Sequence, residues 1–244
     1  RSLGSTSAKY LTLEAVKIMK NGNKNFLRTE RHEALSFFED NNINFESFDY
    51  LYDEMKSFDA VYNKIVELLI EESKDKDINY FVPGTPLVAE KTVKLLIEKA
   101  IKIKIINGIS FIEPVLAAVG RDAVDGLLFL DSDANKVDFD TRRETLITQV
   151  YNKSIASDLY LELQEIYDEK DKAYVITNAG LDDEIVREVE IYELSRLGDY
   201  IHQSCVYVPK TKSKNINIIL NNISKLIENE DFYLDEDLFK KIKN

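Results

Sequence analysis

The chain has 244 residues, of which 44% are hydrophobic and 31% charged, and its formal net charge is −12. This length allows one large α/β domain or two smaller ones with a core. The acidic balance disfavours nucleic-acid binding, which depends on basic side chains that displace counterions, and no apolar run approaches the roughly 18 residues of a membrane span. With no signal-like segment near the N-terminus, we expect a cytoplasmic protein without nucleic-acid or membrane partners.

The first half of the sequence alternates helix-like and strand-like segments. We predict helices at 11–21, 31–42, 61–74, 87–100 and 110–120 and strands at 25–29, 43–48, 78–82 and 101–106. This rhythm, with continuous apolar strands, predicts a parallel sheet covered by helices on both faces. The segment 78–106 is the clearest strand–helix–strand unit, and we expect its two strands to be parallel.

The pattern changes after Gly120. An acidic, loop-rich segment with one short apolar piece spans 123–143. We then predict strands at 145–150, 172–178, 185–194 and 204–209 and a helix at 154–167. The expected organisation is an α/β N-terminal domain (1–113), an α/β C-terminal domain (114–209), and a helix with a charged tail or linker (210–244).

Two predicted strands end in glycine-containing turns. Val82 is followed by Pro83-Gly84-Thr85-Pro86, and Ile106 by Asn107-Gly108-Ile109-Ser110. Ligands of parallel sheets bind outside the carboxyl ends of the strands, where a glycine lets them approach the backbone. Thr85 and Ser110 are predicted to cap the helices that follow. Each turn alone could be a tight connection, but two on consecutive strands favour a ligand cleft.

Other motifs are weaker. Gly4-Ser5-Thr6-Ser7 lacks the lysine of a P-loop, and the chain contains no Gly-x-Gly-x-x-Gly. Glu30 and Glu33 with Glu46 and Asp49 match the carboxylate spacing of all-α nucleotide pyrophosphohydrolases, which bind Mg²⁺. Because the asparagine-rich stretch 41–44 interrupts the required helices, we favour a solvated charged face and expect no pyrophosphate release.

Cysteine and histidine are scarce. The chain has one cysteine, Cys205, and two histidines, His32 and His202. A structural zinc site requires four nitrogen or sulfur ligands, so we expect no metal. The single cysteine cannot form an internal disulfide. Its apolar neighbours favour a buried side chain over a nucleophile.

Four segments together carry a family resemblance: "FLRTERH", "YFVPGTPLVAEKTV", "IINGISFIEPVLAAVG" and "LITQVYNKSIASDLYLEL". They resemble the tetrapyrrole (corrin/porphyrin) methylases, and most closely the methylase-like domain in front of MazG-type nucleotide pyrophosphohydrolases. The resemblance covers residues 3–209. It implies a two-domain fold, with a parallel N-terminal sheet and a mixed C-terminal sheet, that binds S-adenosylmethionine between its domains.

The resemblance also implies which residues line the site, although it identifies no catalytic residue. The positions that it assigns to the cofactor are Pro83, Gly84, Thr85, Pro86, Ile106, Gly108, Ser110, Ile147, Gln149, Ala156, Ala179 and Gly180. The family's opening loop, which lines the substrate side, corresponds to Gly4 and Ser5. Two further substrate-side candidates are Arg28, as a counter-charge for acceptor carboxylates, and His32, which follows a strand end and could equally lie on the surface.

Two functions stay open at this point. The first is an S-adenosylmethionine-dependent methyltransferase with a small-molecule acceptor such as a tetrapyrrole, expected as a homodimer and as part of a longer MazG-type protein. The second is a degenerate, non-catalytic ligand-binding or regulatory module attached to a nucleotide pyrophosphohydrolase. The retained glycine turns favour the first. The altered opening loop favours the second: Gly4 is kept, but the residues from Ser5 to Ala8 replace the second glycine, the proline and the acidic residue of the family's pattern.

Overall fold

The computed structural model describes residues 8–99, 101–132 and 139–211. The α-helices of this part of the chain are α1 (Leu13–Met19), α2 (Leu35–Asp40), α3 (Asp49–Glu54), α4 (Phe58–Glu72), α5 (Lys91–Glu98), α6 (Ile112–Val119) and α7 (Lys153–Leu163). Its strands are β1 (Lys24–Leu27), β2 (Glu46–Ser47), β3 (Ile78–Phe81), β4 (Leu127–Asp131), β5 (Glu144–Thr148), β6 (Lys172–Thr177), β7 (Ile185–Glu190) and β8 (Ser204–Val208).

The described residues form two compact units. The first contains the residues up to Arg121 together with the turn Asn178–Glu184. The second contains Asp122–Thr177 and the residues from Ile185 onward. The predicted tail helix falls largely on residues 212–244, which lie outside the described part.

The first unit is built on a three-stranded parallel sheet in the order β2-β1-β3. Adjacent side chains of a strand point to opposite faces, and Phe26 and Leu27 of β1 accordingly lie in different apolar clusters. Phe26 packs with Ile65 of α4, whereas Leu27 packs with Phe38 of α2. Both faces of the sheet are therefore covered, and the predicted parallel α/β architecture is confirmed.

One predicted strand is wrong. Residues 101–106 form no strand, although isoleucine and lysine alternate along them as in a half-buried strand. Lys102, Ile103 and Lys104 are exposed, and the segment passes along a cavity of about 620 Å³ instead of pairing with β3. Strand propensity depends on pairing as well as on burial, and in this structure the segment has no strand partner among the described residues. The parallel pair expected for 78–106 is therefore not formed.

The helix predicted at 87–100 begins later, at Lys91. Gly84 and Ala89 have φ values of +66° and +53°, which are incompatible with a right-handed helix. Glu90 is the N-cap, and its side chain accepts a hydrogen bond from the backbone N–H of Thr92. Residues 82–90 are therefore a loop, and the predicted capping role of Thr85 is wrong.

The second unit is built on a five-stranded mixed sheet in the order β4-β5-β8-β6-β7. Strands β4 and β5 are parallel, and the remaining pairs are antiparallel. The apolar piece of the loop-rich segment forms β4, and the strand predicted at 185–194 ends at Glu190. The mixed C-terminal sheet is confirmed. No helix in the described residues is long and apolar enough to cross a membrane.

Cys205 lies on β8 and is 5% exposed, as expected of a buried small residue. Burial raises the pKa of its thiol to about 12, so almost none of it is the reactive thiolate near neutral pH. We expect a chromogenic disulfide reagent at pH 8 to leave the native protein unmodified and to label about one thiol per chain in 6 M guanidinium. Rapid labelling without denaturant would contradict this burial.

Candidate functional site

The loop between β3 and α5 contains the first predicted cofactor turn. At Gly84, φ is +66° and no heavy atom lies within 4 Å of the position that a Cβ would occupy. Thr85, by contrast, is buried, and its carbonyl accepts a hydrogen bond from the N–H of Val88. Pro86 lines the cavity of about 620 Å³, together with residues of α4, β3, α5 and 101–105. A side chain at position 84 would therefore project into open space beside the loop, and glycine leaves that space to a ligand.

Left-handed backbone outside glycine occurs at four described residues, Asn42, Ala89, Gln149 and Asn178. The last three lie in or beside predicted cofactor segments: the loop after β3, the end of β5, and the turn at Ala179-Gly180. Such a conformation costs on the order of 1–2 kcal/mol at Ala89 and at Gln149 and less at an asparagine, and it persists where the surroundings enforce it, often at ligand sites.

The second predicted cofactor turn leads into α6. Ile106 is buried, whereas the adjoining Asn107 is exposed. The Ser110 hydroxyl accepts a hydrogen bond from the N–H of Ile112 and lies 2.5 Å from Glu113 Oε2. Ser110 therefore satisfies a backbone donor at the start of α6, but the N-cap of this helix is Phe111, so the predicted capping position is one residue too early.

In the second unit, the candidate residues lie at the end of β5 and on α7. Ile147 and Ala156 are fully buried in the core cluster of this unit. Gln149 follows β5 with a φ of +66°, and its carbonyl accepts a hydrogen bond from the Ser132 hydroxyl. Backbone atoms around Gln149 are therefore better placed to meet a ligand than the two buried side chains.

The turn at Ala179-Gly180 belongs to the first unit and is tightly held. The Tyr10 hydroxyl donates a hydrogen bond to the Gly180 carbonyl, at 3.0 Å. The Gly180 N–H donates to Glu184 Oε2, at 2.6 Å. A Cβ on Gly180 would overlap the Tyr10 hydroxyl and lie 3.0 Å from Pro114 Cβ. Packing thus accounts for this glycine. Sequence reasoning missed Tyr10, which carries no local signal.

Arg28 directly follows β1, and its positive charge is paired with a carboxylate. Its Nε lies 3.2 Å from Glu90 Oε2, and the two side chains are 24% and 3% exposed. Burial, the largest single effect, lowers the pKa of the guanidinium, but Glu90 and the nearby Tyr52, Tyr80 and Tyr62 together outweigh it, so the pKa of Arg28 is raised. An arginine neutralised by a buried carboxylate is a weak counter-charge for a substrate.

The other substrate-side candidates contribute less. His32 Nδ1 accepts a hydrogen bond from the N–H of Ala34, which supports the turn before α2. Gly4 and Ser5 lie outside the described residues, and so does the altered opening loop.

Two of the four carboxylates with the hydrolase-like spacing make local contacts. Asp49 accepts hydrogen bonds from the Thr29 hydroxyl and the Glu30 N–H, at 2.8 and 2.6 Å. Glu46 lies 2.9 Å from the Lys24 ammonium. Within the part of the chain that the structure describes, no group of three or more histidine, cysteine or acidic residues could hold a metal ion.

A sequence profile of the family described as Tetrapyrrole (Corrin/Porphyrin) Methylases matches residues 2–195. The chain belongs to this family. Among individual proteins, it is 31% identical over 219 residues to the Uncharacterized protein YabN of Bacillus subtilis (strain 168). That match covers 88% of this chain and 45% of YabN, so the chain spans less than half the length of this curated relative.

Solved structures share the fold. Diphthine synthase superposes with a TM-score of 0.65 and 17% identity over 89% of this chain and 91% of its own. The uroporphyrin-III-C-methyltransferase of Thermus thermophilus gives a TM-score of 0.63 and 14% identity over 86% of this chain and 90% of its own. At these identities the similarity establishes the two-sheet α/β fold alone.

Proposed function

We propose that the chain is an S-adenosylmethionine-dependent methyltransferase domain that acts on a small-molecule acceptor. Membership of the methylase family supports the reaction class. The observation that carries the proposal is the left-handed backbone at Ala89, Gln149 and Asn178, beside the three segments that the family resemblance assigns to the cofactor.

The first unit fits such a cofactor at Gly84, where an added Cβ would occupy open space beside the backbone. S-adenosylmethionine supplies a methyl group already activated as a sulfonium. The protein then needs mainly to bind, orient and desolvate the reactants. Loop backbone suits that task, and no nucleophilic side chain is required.

The wider setting is also part of the proposal. The segments that resemble the methylase-like domain of MazG-type proteins suggest that the chain works beside a nucleotide pyrophosphohydrolase domain. We further propose a cytoplasmic homodimer whose acceptor is tetrapyrrole-like. The carboxylates of such an acceptor would need basic side chains to bind them. Arg142 is exposed, but Asp140 lies close to it and neutralises its charge, so other basic groups would have to bind the acceptor.

Incubation with methyl-labelled S-adenosylmethionine and a panel of tetrapyrrole and other small-molecule acceptors tests the activity. Transfer of label to any acceptor, above the level of a heat-denatured control, supports the methyltransferase. Cofactor binding without transfer or cofactor consumption across the panel favours the non-catalytic module. Size-exclusion chromatography with light scattering tests the dimer.

A further inference from the structure

Arg28 contacts both ends of the loop that contains Gly84. Its backbone N–H donates a hydrogen bond to the carbonyl of Phe81, the last residue of β3, at 2.9 Å. Its side-chain Nε lies 3.2 Å from Oε2 of Glu90, the N-cap of α5. One residue after β1 thus connects the end of the strand before the loop with the start of the helix after it.

Glu90 extends this contact into a network. Its Oε1 accepts hydrogen bonds from the hydroxyl and the backbone N–H of Thr92, at 2.6 and 3.3 Å. Because the Thr92 hydroxyl donates to a carboxylate, the Tyr80 hydroxyl, 2.9 Å away, donates to Thr92 Oγ1. Tyr80 belongs to β3. The network therefore runs from β1 to α5 and back to the strand that precedes the loop.

The Arg28–Glu90 ion pair contributes little net stability. The Glu90 side chain is 3% exposed, and removing a carboxylate and a guanidinium from water consumes most of what their attraction provides. Arg28 Nε makes no hydrogen bond to a described residue, so charge attraction alone joins it to Glu90, whereas the hydrogen bonds from Thr92 fix the position of the carboxylate. Ala89, directly before Glu90, has a φ of +53°, which is a conformation that persists only when its surroundings enforce it.

We propose that Arg28 and Glu90 are positioning residues, which hold the loop 83–89 in the conformation that receives the cofactor. The proposal rests on the proposed function, since it specifies how that cofactor loop is held. It also gives Arg28 a role different from the substrate contact expected from the sequence. Neither side chain needs to touch the ligand.

The test compares Glu90→Gln with Lys24→Gln. Lys24 is a matched control because it also joins β1 to other elements by ion pairs, at 2.9 Å to Glu46 and 3.3 Å to Glu72, but at the opposite end of the strand. Tyr80→Phe is a milder variant, which removes one hydroxyl and keeps the ring. Backbone hydrogen exchange across 82–90 and calorimetric affinity for S-adenosylhomocysteine are measured on each protein.

We expect Glu90→Gln and Tyr80→Phe to accelerate exchange in the loop. We also expect Glu90→Gln to weaken binding about tenfold or more, because the affinity falls in proportion to the fraction of molecules whose loop is in the conformation that binds. Lys24→Gln should leave both quantities within about twofold of the native protein.

A Glu90→Gln protein with native loop exchange and native affinity overturns the proposal, even if its melting temperature falls, because only a structural role would then remain. If the native protein binds no S-adenosylhomocysteine, the proposed function fails. Hydrogen exchange is then the sole test of the positioning role. Faster loop exchange in Glu90→Gln than in Lys24→Gln supports that role, and equal exchange overturns it.

Discussion

Gly84→Val is expected to weaken S-adenosylhomocysteine binding by about a hundredfold or more. Two observations predict this result: φ at Gly84 is +66°, and the direction of a Cβ is open space. A valine would extend into the region that a ligand must occupy to lie against the loop backbone. Isothermal calorimetry at equal protein concentrations measures the loss.

The same substitution also lowers stability, because valine disfavours a left-handed backbone by on the order of 1–2 kcal/mol. Gly22→Val is the matched control: Gly22 has a φ of +84°, has no atom within 4 Å of its Cβ position, and lies in the turn before β1. Urea denaturation should show similar destabilisation in both variants, whereas only Gly84→Val loses affinity. Equal loss of affinity in both variants would show that Gly84 has no special relation to the ligand.

Gly180→Ala is expected to lower the free energy of unfolding by about 2–4 kcal/mol. The φ of +80° contributes part of this cost. The rest comes from a Cβ that would overlap the Tyr10 hydroxyl and crowd Pro114. Urea denaturation measures the change. Gly120→Ala, at a φ of +63° with nothing within 4 Å, should cost only about 1–2 kcal/mol.

Tyr10→Phe separates the two contributions. It removes the hydroxyl that a Cβ on residue 180 would overlap, so Gly180→Ala should cost about 1 kcal/mol less in a protein that already carries Tyr10→Phe than in the native one. An identical cost in both backgrounds would mean that Tyr10 does not limit the residue at position 180.

The sequence predicts the class of fold because apolar runs and strand–helix alternation are local properties. The bounds of β3 and β5 are predicted to within one or two residues. Prediction from the sequence fails where the structure depends on contacts between residues far apart in the chain or on left-handed backbone. Alanine has no preference for left-handed backbone and glutamate is not a favoured N-cap, so the true start of α5 could not be predicted.

The candidate site likewise combines features that the local sequence predicts with features that it does not. Gly84 and Gly180 can both be predicted as turn residues from the sequence, but each position requires glycine for a different reason. Gly84 faces open space, whereas Gly180 is packed against Tyr10. The pairing of Arg28 with Glu90 depends on three elements that meet only in the folded unit. The alternating run 101–106 has the local pattern of a strand, yet the structure leaves it unpaired.

Calorimetric titration of the native protein with S-adenosylmethionine and S-adenosylhomocysteine tests the central claim most directly. We expect saturable binding of both with a dissociation constant below about 0.1 mM, and no heat from adenosine triphosphate at the same concentrations. Absence of binding at about 1 mM of either sulfur ligand, where a binding free energy of about −4 kcal/mol would still be detected, would contradict the assignment of this chain as a methyltransferase domain.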